Sequence, residues 1–165
     1  MAVEADGFRA FFGSFPTAVS VVTATGKDGV PRGLTCTAIT AVSASPPLML
    51  VCVDERSTSL HALEEAGGFA VNVLAEGGSE VSDRFASRSD DKFSGLSWAP
   101  STVACGAPVL TSSVLATAEC SVTRQFTEGD HRIFVGLVLR TSVFPRRPLL
   151  HHRRVYSVWD RVGSS

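Results

Sequence analysis

Hydroxyl, thiol and basic side chains that could hold an anion gather at two points of this 165-residue chain. The first is Gly33-Leu34-Thr35-Cys36-Thr37-Ala38, running on to Ser43-Ala44-Ser45-Pro46-Pro47-Leu48. Small residues let a ligand come close to the backbone, and hydroxyls with free N–H groups bind an anion such as a phosphate. A plain threonine-rich strand is the competing reading, because strands use Thr for its branching. The second point is Arg56-Ser57-Thr58-Ser59. Here Ser57 is a good N-cap for a helix over Thr58–Ala66 that Gly67-Gly68 would stop. A helix start carrying two more hydroxyls and a neighbouring arginine suits phosphate, and a simple cap is the alternative. His131 follows Asp130 in the turn Glu128-Gly129-Asp130. It either contacts a ligand or is a turn histidine hydrogen-bonded to Asp130.

Other chemistries lack their residues. Cys36, Cys52, Cys105 and Cys120 form no C-x-x-C pair and no zinc spacing, so no metal site is expected. His151-His152 has no further ligand at a useful spacing. No G-x-G-x-x-G follows a strand, and G-x-x-x-x-G-K-[ST], G-x-S-x-G and H-E-x-x-H are absent. The net charge of -1, with no basic block, argues against a nucleic-acid surface. No apolar run reaches membrane-spanning length, and the N-terminus carries Glu4 and Asp6 rather than a secretory core. Reduced cysteines in a cytoplasmic protein are therefore expected. Charged residues are sparse, which makes a second copy covering part of the surface plausible.

The elements that must position these groups read mainly as strands. Phe8, Phe11, Phe12 and Phe15 mark one face of a short helix ending before Pro16, and such a stripe is expected to be core. Thr17–Thr25 and Val30–Ala44 read as strands joined by a hairpin at Gly26-Lys27-Asp28-Gly29. This pairs the hydroxyl-rich segment with the strand that begins at Thr17. Leu48–Val53 is apolar throughout, as for a strand buried on both faces. Phe69–Leu74, Val114–Phe126, His131–Ser142 and Leu149–Trp159 complete about seven strands. Glu80–Ser87 reads as a helix, Ser89–Leu96 as a polar loop and Trp98–Leu110 as irregular. Hairpin connections without βαβ alternation predict one domain over residues 1–165, an antiparallel β-barrel with short peripheral helices.

Taken in order, several segments resemble the flavin reductase family of small split-barrel flavoproteins, the reductase components of two-component monooxygenases. They are Phe15-Pro16-Thr17-Ala18-Val19, Gly33-Leu34-Thr35, Ser43 through Leu48, Cys52-Val53-Asp54 with Ser57, Phe69 through Leu74, Phe85 and Lys92-Phe93. Gly106-Ala107-Pro108-Val109-Leu110, Glu119-Cys120 and Gly129-Asp130-His131 ahead of Gly136 close the series. The resemblance implies a dimeric, Greek-key-like split barrel that binds FMN or FAD and reduces it with NADH or NADPH, then supplies reduced flavin to a monooxygenase. Carried over by position, it places Thr35, Cys36, Thr37 and Ala38 along the flavin phosphate and ribityl chain. Cys52, Val53 and Asp54 would run along the ring edge with backbone groups, and Ser57, Thr58 and Ser59 would serve the phosphate. Thr17 would reach the ring, Phe85 would pack beside it, and His131 would sit where the nicotinamide enters. The family usually has a hydroxyl at position 38, often Phe at 39 and Gly at 18, where this chain has Ala38, Ile39 and Ala18. A non-catalytic flavin-binding protein and a flavoenzyme acting directly on an organic substrate fit the same segments.

Overall fold

The computed structural model describes residues 1–159, so the last six residues of the expected domain lie outside it. Its centre is a seven-stranded sheet built from β2 (Ser20–Thr25), β3 (Pro31–Cys36), β4 (Ile39–Ala44), β5 (Pro47–Asp54), β6 (Gly68–Leu74), β9 (Val114–Glu128) and β10 (His131–Val143). The strand order is β3-β2-β6-β9-β10-β5-β4, and each recorded pairing is antiparallel. The two edge strands, β3 and β4, are consecutive in sequence and joined by Thr37-Ala38 alone. Two linking residues cannot carry the chain much beyond about 11 Å, so the sheet must roll until its edges nearly meet. The edges meet without pairing, which makes the barrel split.

The hairpin at residues 26–29 forms as read. Gly29 adopts φ 75, and the Asp28 carboxylate accepts the Val30 N–H at 2.9 Å, the side-chain turn that aspartate favours. The expected strand Val30–Ala44 breaks into β3 and β4 at the split. Thr17–Thr25 breaks too, because β1 (Thr17–Ala18) leaves the sheet to pair with β11 (Leu149–His152), which pairs in turn with β12 (Val155–Val158). The expected final strand is thus a hairpin. So is part of Trp98–Leu110, where β7 (Trp98–Pro100) pairs with β8 (Pro108–Leu110).

One core fills the barrel, from Val22, Cys36, Val51, Val53, Phe69, Cys120 and Phe134. A second lies outside it under α3 (Ser79–Ala86), from Val19, Val21, Leu74, Phe85, Leu110, Val114 and Leu149. Asn72 ties β6 to β2 and to β8: its Nδ2 donates to the Val21 carbonyl at 3.1 Å, and its Oδ1 accepts the Leu110 N–H at 2.8 Å.

Two packing expectations are corrected. β5 is not buried on both faces: Val51 and Val53 point into the core, whereas Leu50, Cys52 and Asp54 are half-buried on the opposite face. It lies next to the strand at the split, so only its inner face is fully covered. The aromatic stripe is a helix as expected, α1 (Ala5–Phe12), but none of its residues is buried. Phe8, Phe11, Phe12 and Phe15 pack on one another instead of in the core, and all but Phe11 line a cavity.

Candidate functional site

Two cavities lie along the split. The first, about 380 Å³, is lined by Thr35, Asp54, Arg56, Ser57, Thr58, Phe85, Ser87, Arg88 and Lys92, among others. β3 supplies Thr35, whose hydroxyl donates to the Ser82 carbonyl on α3 at 2.5 Å. The end of β5 supplies Asp54, which clamps the following turn. Its carboxylate accepts the Arg56 N–H at 2.8 Å and two guanidinium N–H groups at 3.0 and 2.7 Å. These bonds hold the Asp54 carboxyl well below the usual carboxylate range. The turn also receives Ser57 N–H on the Asp54 carbonyl at 2.9 Å.

The helix after this turn corrects a second expectation. α2 covers Leu60–Ala66, not Thr58–Ala66, and Ser59, not Ser57, stands at its N-cap. The Leu60 N–H is already donated to the Ser57 carbonyl at 3.1 Å. Ser57 and Thr58 therefore face the cavity from a turn, and their hydroxyls rather than a helix terminus are what the site offers. Ser59 is not part of it. It is buried, and its hydroxyl donates to the Gly33 carbonyl at 2.8 Å.

Lys92 completes the first cavity. It is 7 % exposed, and its ammonium donates to the carbonyls of Gly33 at 3.2 Å and Phe85 at 3.0 Å. An ammonium has three hydrogens, so one remains for a ligand on the cavity wall. Burial pushes the Lys92 pKa down, which marks a cation short of compensating charge. Arg88 stands beside it with no ion pair recorded among the described residues. Sequence reading missed Arg88 and did not assign Lys92 a role. The signal was available: two cations just beyond a helix that ends at Phe85-Ala86.

The second cavity, about 860 Å³, is lined by Thr17, Thr37, Ala38 and Ile39 at its floor, and by Phe8, Phe12, Phe15, Arg9, His151, Arg153 and Arg154. Thr17 lines it from β1, which pairs with β11 and not, as expected, with the hydroxyl-rich strand. Thr35 and Thr37 are two residues apart, and they link the two cavities along β3 and its exit.

The remaining expected residues contribute through their backbones or not at all. The Cys36 side chain is buried in the barrel, where burial raises its thiol to about 11, and it donates to the Cys52 carbonyl at 3.5 Å. Val53 is likewise a core side chain. Cys52 gives its N–H to the Ala38 carbonyl at 3.0 Å, continuing the β4–β5 ladder past Ile39. N–H groups alternate sides along a strand, so Asp54 directs its own toward the side from which β4 has departed. His131 opens β10 directly across from Asp54 in register. It lines neither cavity, and its Nδ1 lies 2.7 Å from Asp130 Oδ1. That bond holds the Asp130 carboxyl below its ordinary value.

An antiparallel barrel split at one seam, with hydroxyls, an N–H edge, the buried Lys92 ammonium and the exposed Arg88 guanidinium along that seam, has donors suited to a phosphorylated cofactor. The comparisons specify which. The family model described as flavin reductase like domain matches residues 12–160, and the chain belongs to that family. A flavin reductase (NADH) of Kitasatospora aureofaciens is 46% identical over 159 residues, 95% of this chain and 83% of that protein. The flavin-dependent monooxygenase reductase subunit HsaB of Rhodococcus jostii is 41% identical over 94% of this chain and 78% of its own length. Among solved structures, the NADH:FAD oxidoreductase SgcE6 of Streptomyces globisporus, in complex with NAD and FAD fragments, superposes with a TM-score of 0.89. It is 33% identical and covers 99% of both chains. This chain is a nicotinamide-dependent flavin reductase, and its cofactors are a flavin, FMN or FAD, and NADH or NADPH.

Proposed function

We infer that the first cavity seats the flavin phosphate and that the flavin runs from there toward Thr37-Ala38, with its ring beside Asp54. The observation that carries this reading is the donor set: Ser57, Thr58, Arg88 and the third hydrogen of buried Lys92 converge on one cavity. Charge-assisted bonds of this kind are the strong ones for phosphate. The donors fit the group: the Asp54 carboxylate is taken up by Arg56, and the Asp90 charge near Lys92 does not offset the cost of its burial.

Flavin and nicotinamide supply the hydride chemistry when bound, so the protein's task is to align them and keep water out. Phe85, fully buried and edge-on to Phe93 with centroids 5.0 Å apart, makes a rigid wall for the phosphate end. The Asp54 N–H at the open side of β5 supports negative charge developing on the ring. His131, one strand across from Asp54, steadies the nicotinamide as it enters, and Asp130 fixes its ring tautomer.

The reduced flavin passes to a separate flavin-dependent monooxygenase in the cytoplasm, and the reductase acts as a single-domain homodimer. The relative named as a monooxygenase reductase subunit supports the first part. Support for the dimer is the exposed apolar side chains Leu139, Val143 and Phe144, where β10 runs past the end of its pairing with β5, and Val42 on the edge strand β4. The test is oxidation of NADH and NADPH by the purified chain with FMN, FAD or no flavin. Oxidation that requires flavin and saturates with it is expected. No oxidation above background with any pair overturns the reading.

A further inference from the structure

We propose that the larger cavity seats the adenosine-phosphate end of the nicotinamide dinucleotide, with the Arg153-Arg154 turn gripping phosphate and the Phe8–Phe12 pair covering adenine. The proposal rests on the placement of the flavin phosphate in the first cavity.

The linear order of a flavin decides which ligand belongs there. A flavin runs ring, ribityl, phosphate, and FAD adds its adenosine beyond the phosphate. With phosphate at Ser57, Arg88 and Lys92, an FAD adenosine continues away from Thr37. A small third hollow lies on that side and shares Thr58 and Lys92 with the first cavity. The larger cavity lies on the opposite, ring side, past Thr37 and Ala38. The flavin's own tail does not reach it, and the co-substrate that must meet the ring is the ligand left to fill it.

The lining has the chemistry of an aromatic anion. The Phe8 and Phe12 rings stand 4.6 Å apart between centroids, and both are more than half exposed. Arg153 and Arg154 have no hydrogen bond or ion pair recorded among the described residues, whereas Arg9 is tied to Asp6 at 3.0 Å. A purely apolar ligand has no use for two unpaired guanidiniums, and a bare anion has none for phenyl faces. A nucleotide uses both. At about 860 Å³ the cavity also has the size of small-molecule sites.

The turn itself adds an independent argument. Arg153 and Arg154 are the two-residue loop of the β11–β12 hairpin, with φ 49 and 67. Positive φ at both loop positions favours Asn, Asp or Gly, and two arginines there hold the backbone in a region it disfavours. The turn forgoes its best residues and sets two cations over the cavity instead.

The test is the variant Arg153→Asn with Arg154→Gly, which gives the turn the residues its geometry prefers while removing both charges. With FMN as acceptor, the variant is expected to melt no lower than the parent. Its nicotinamide KM should rise about tenfold, with kcat and FMN affinity within twofold. NADH and NADPH serve as separate arms. A rise for both assigns the guanidiniums to the pyrophosphate, and a rise for NADPH alone assigns them to the 2′-phosphate. Binding of 2′,5′-adenosine bisphosphate to the flavin-free protein, measured by calorimetry, should weaken in parallel and again in Phe12→Ala. An unchanged nicotinamide KM overturns the proposal. So does a loss confined to FAD, which would give the cavity to the flavin's adenosine, or a change in oligomeric state alone, which would give it to a second copy. If the parent oxidises no nicotinamide, the underlying reading fails, and the bisphosphate titration still decides the cavity.

Discussion

Gly33 and Phe85 are packed so closely that a Cβ on Gly33 would fall 2.6 Å from Phe85 Cε1 and 3.2 Å from Thr23 Cγ2. The Phe85 ring cannot retreat easily, because it is fully buried and braced edge-on by Phe93. The Gly33 carbonyl also receives both Ser59 and Lys92. The glycine thus sets the distance between β3 and α3 and, with it, the wall of the phosphate cavity. Gly33→Ala should cost about 1–3 kcal/mol by overpacking, seen as a melting point roughly 4–8 °C lower. It should also weaken FMN binding. Adding Phe85→Leu to make room should recover part of the loss. A Gly33→Ala protein that melts with the parent would show that the ring yields.

The phosphate cavity predicts a discrimination between flavins. Ser57→Ala removes one donor, worth about 1–1.5 kcal/mol, so FMN and FAD should bind roughly five- to tenfold more weakly. Riboflavin, which lacks the phosphate, should be affected less than twofold. Arg88→Ala should act the same way and flatten the salt dependence of FMN affinity. Fluorescence titration of the three flavins reads both effects. Equal losses for riboflavin and FMN would move the phosphate elsewhere.

Much of this architecture could be read from residue order, and the misses have physical causes. The Gly26–Gly29 hairpin, the β9–β10 hairpin and the helix ending at Ala86 follow from local turn chemistry and periodicity, which act over a few residues. The split at Thr37-Ala38 does not, since nothing local distinguishes a strand that changes partners from one that continues. Ser59 looked like its neighbours Ser57 and Thr58, yet its partner is the Gly33 carbonyl on another strand. Phe8 and Phe12 carry a core pattern, but no residue of α1 is buried among the described residues. Arg153-Arg154 acquires meaning only once β1 brings the final hairpin beside α1.

His131 predicts a separation of two affinities. The residue faces Asp54 across the β5–β10 pair and is 41% exposed at its side chain. His131→Ala should raise the nicotinamide KM or lower turnover several-fold while FMN affinity stays within about threefold, the cost of a single weak contact being about 0.5–1 kcal/mol. His131→Asn, which keeps a donor, should restore part of the activity. Kinetics identical to the parent would leave His131 as a turn residue held by Asp130.

The exposed apolar end of the sheet predicts the assembly. Val143 is 77% exposed and Leu139 45%, both on the stretch of β10 that runs past the end of its pairing with β5. Leu139→Asp with Val143→Asp should convert a dimer to a monomer in sedimentation velocity, because two carboxylates cannot be desolvated cheaply in an apolar contact. A parent that sediments as a monomer would refute the dimer outright.

The buried thiols set a pH dependence whose sign follows from their surroundings. Burial raises Cys36 to about 11 and, with Glu119 adding to it, raises Cys120 to about 12, against an ordinary thiol value of 9.0. Between pH 9.0 and those values the folded chain holds protons that the unfolded chain has released. Folding stability therefore falls as pH rises through this window. Each thiol's contribution is complete below the unfolded value and drains away at about 1.4 kcal/mol for every pH increment of about one inside the window. Urea melts of the reduced protein should show a steep decline that begins near pH 9.0 and a shallower one in Cys120→Ala. At about pH 8, disulfide reagents should label exposed Cys105 rapidly and half-buried Cys52 slowly, leaving Cys36 and Cys120 until the chain unfolds. Rapid labelling of all four thiols in the folded protein would mean that the barrel opens beside its split, where Cys36 on β3 meets Cys52 on β5.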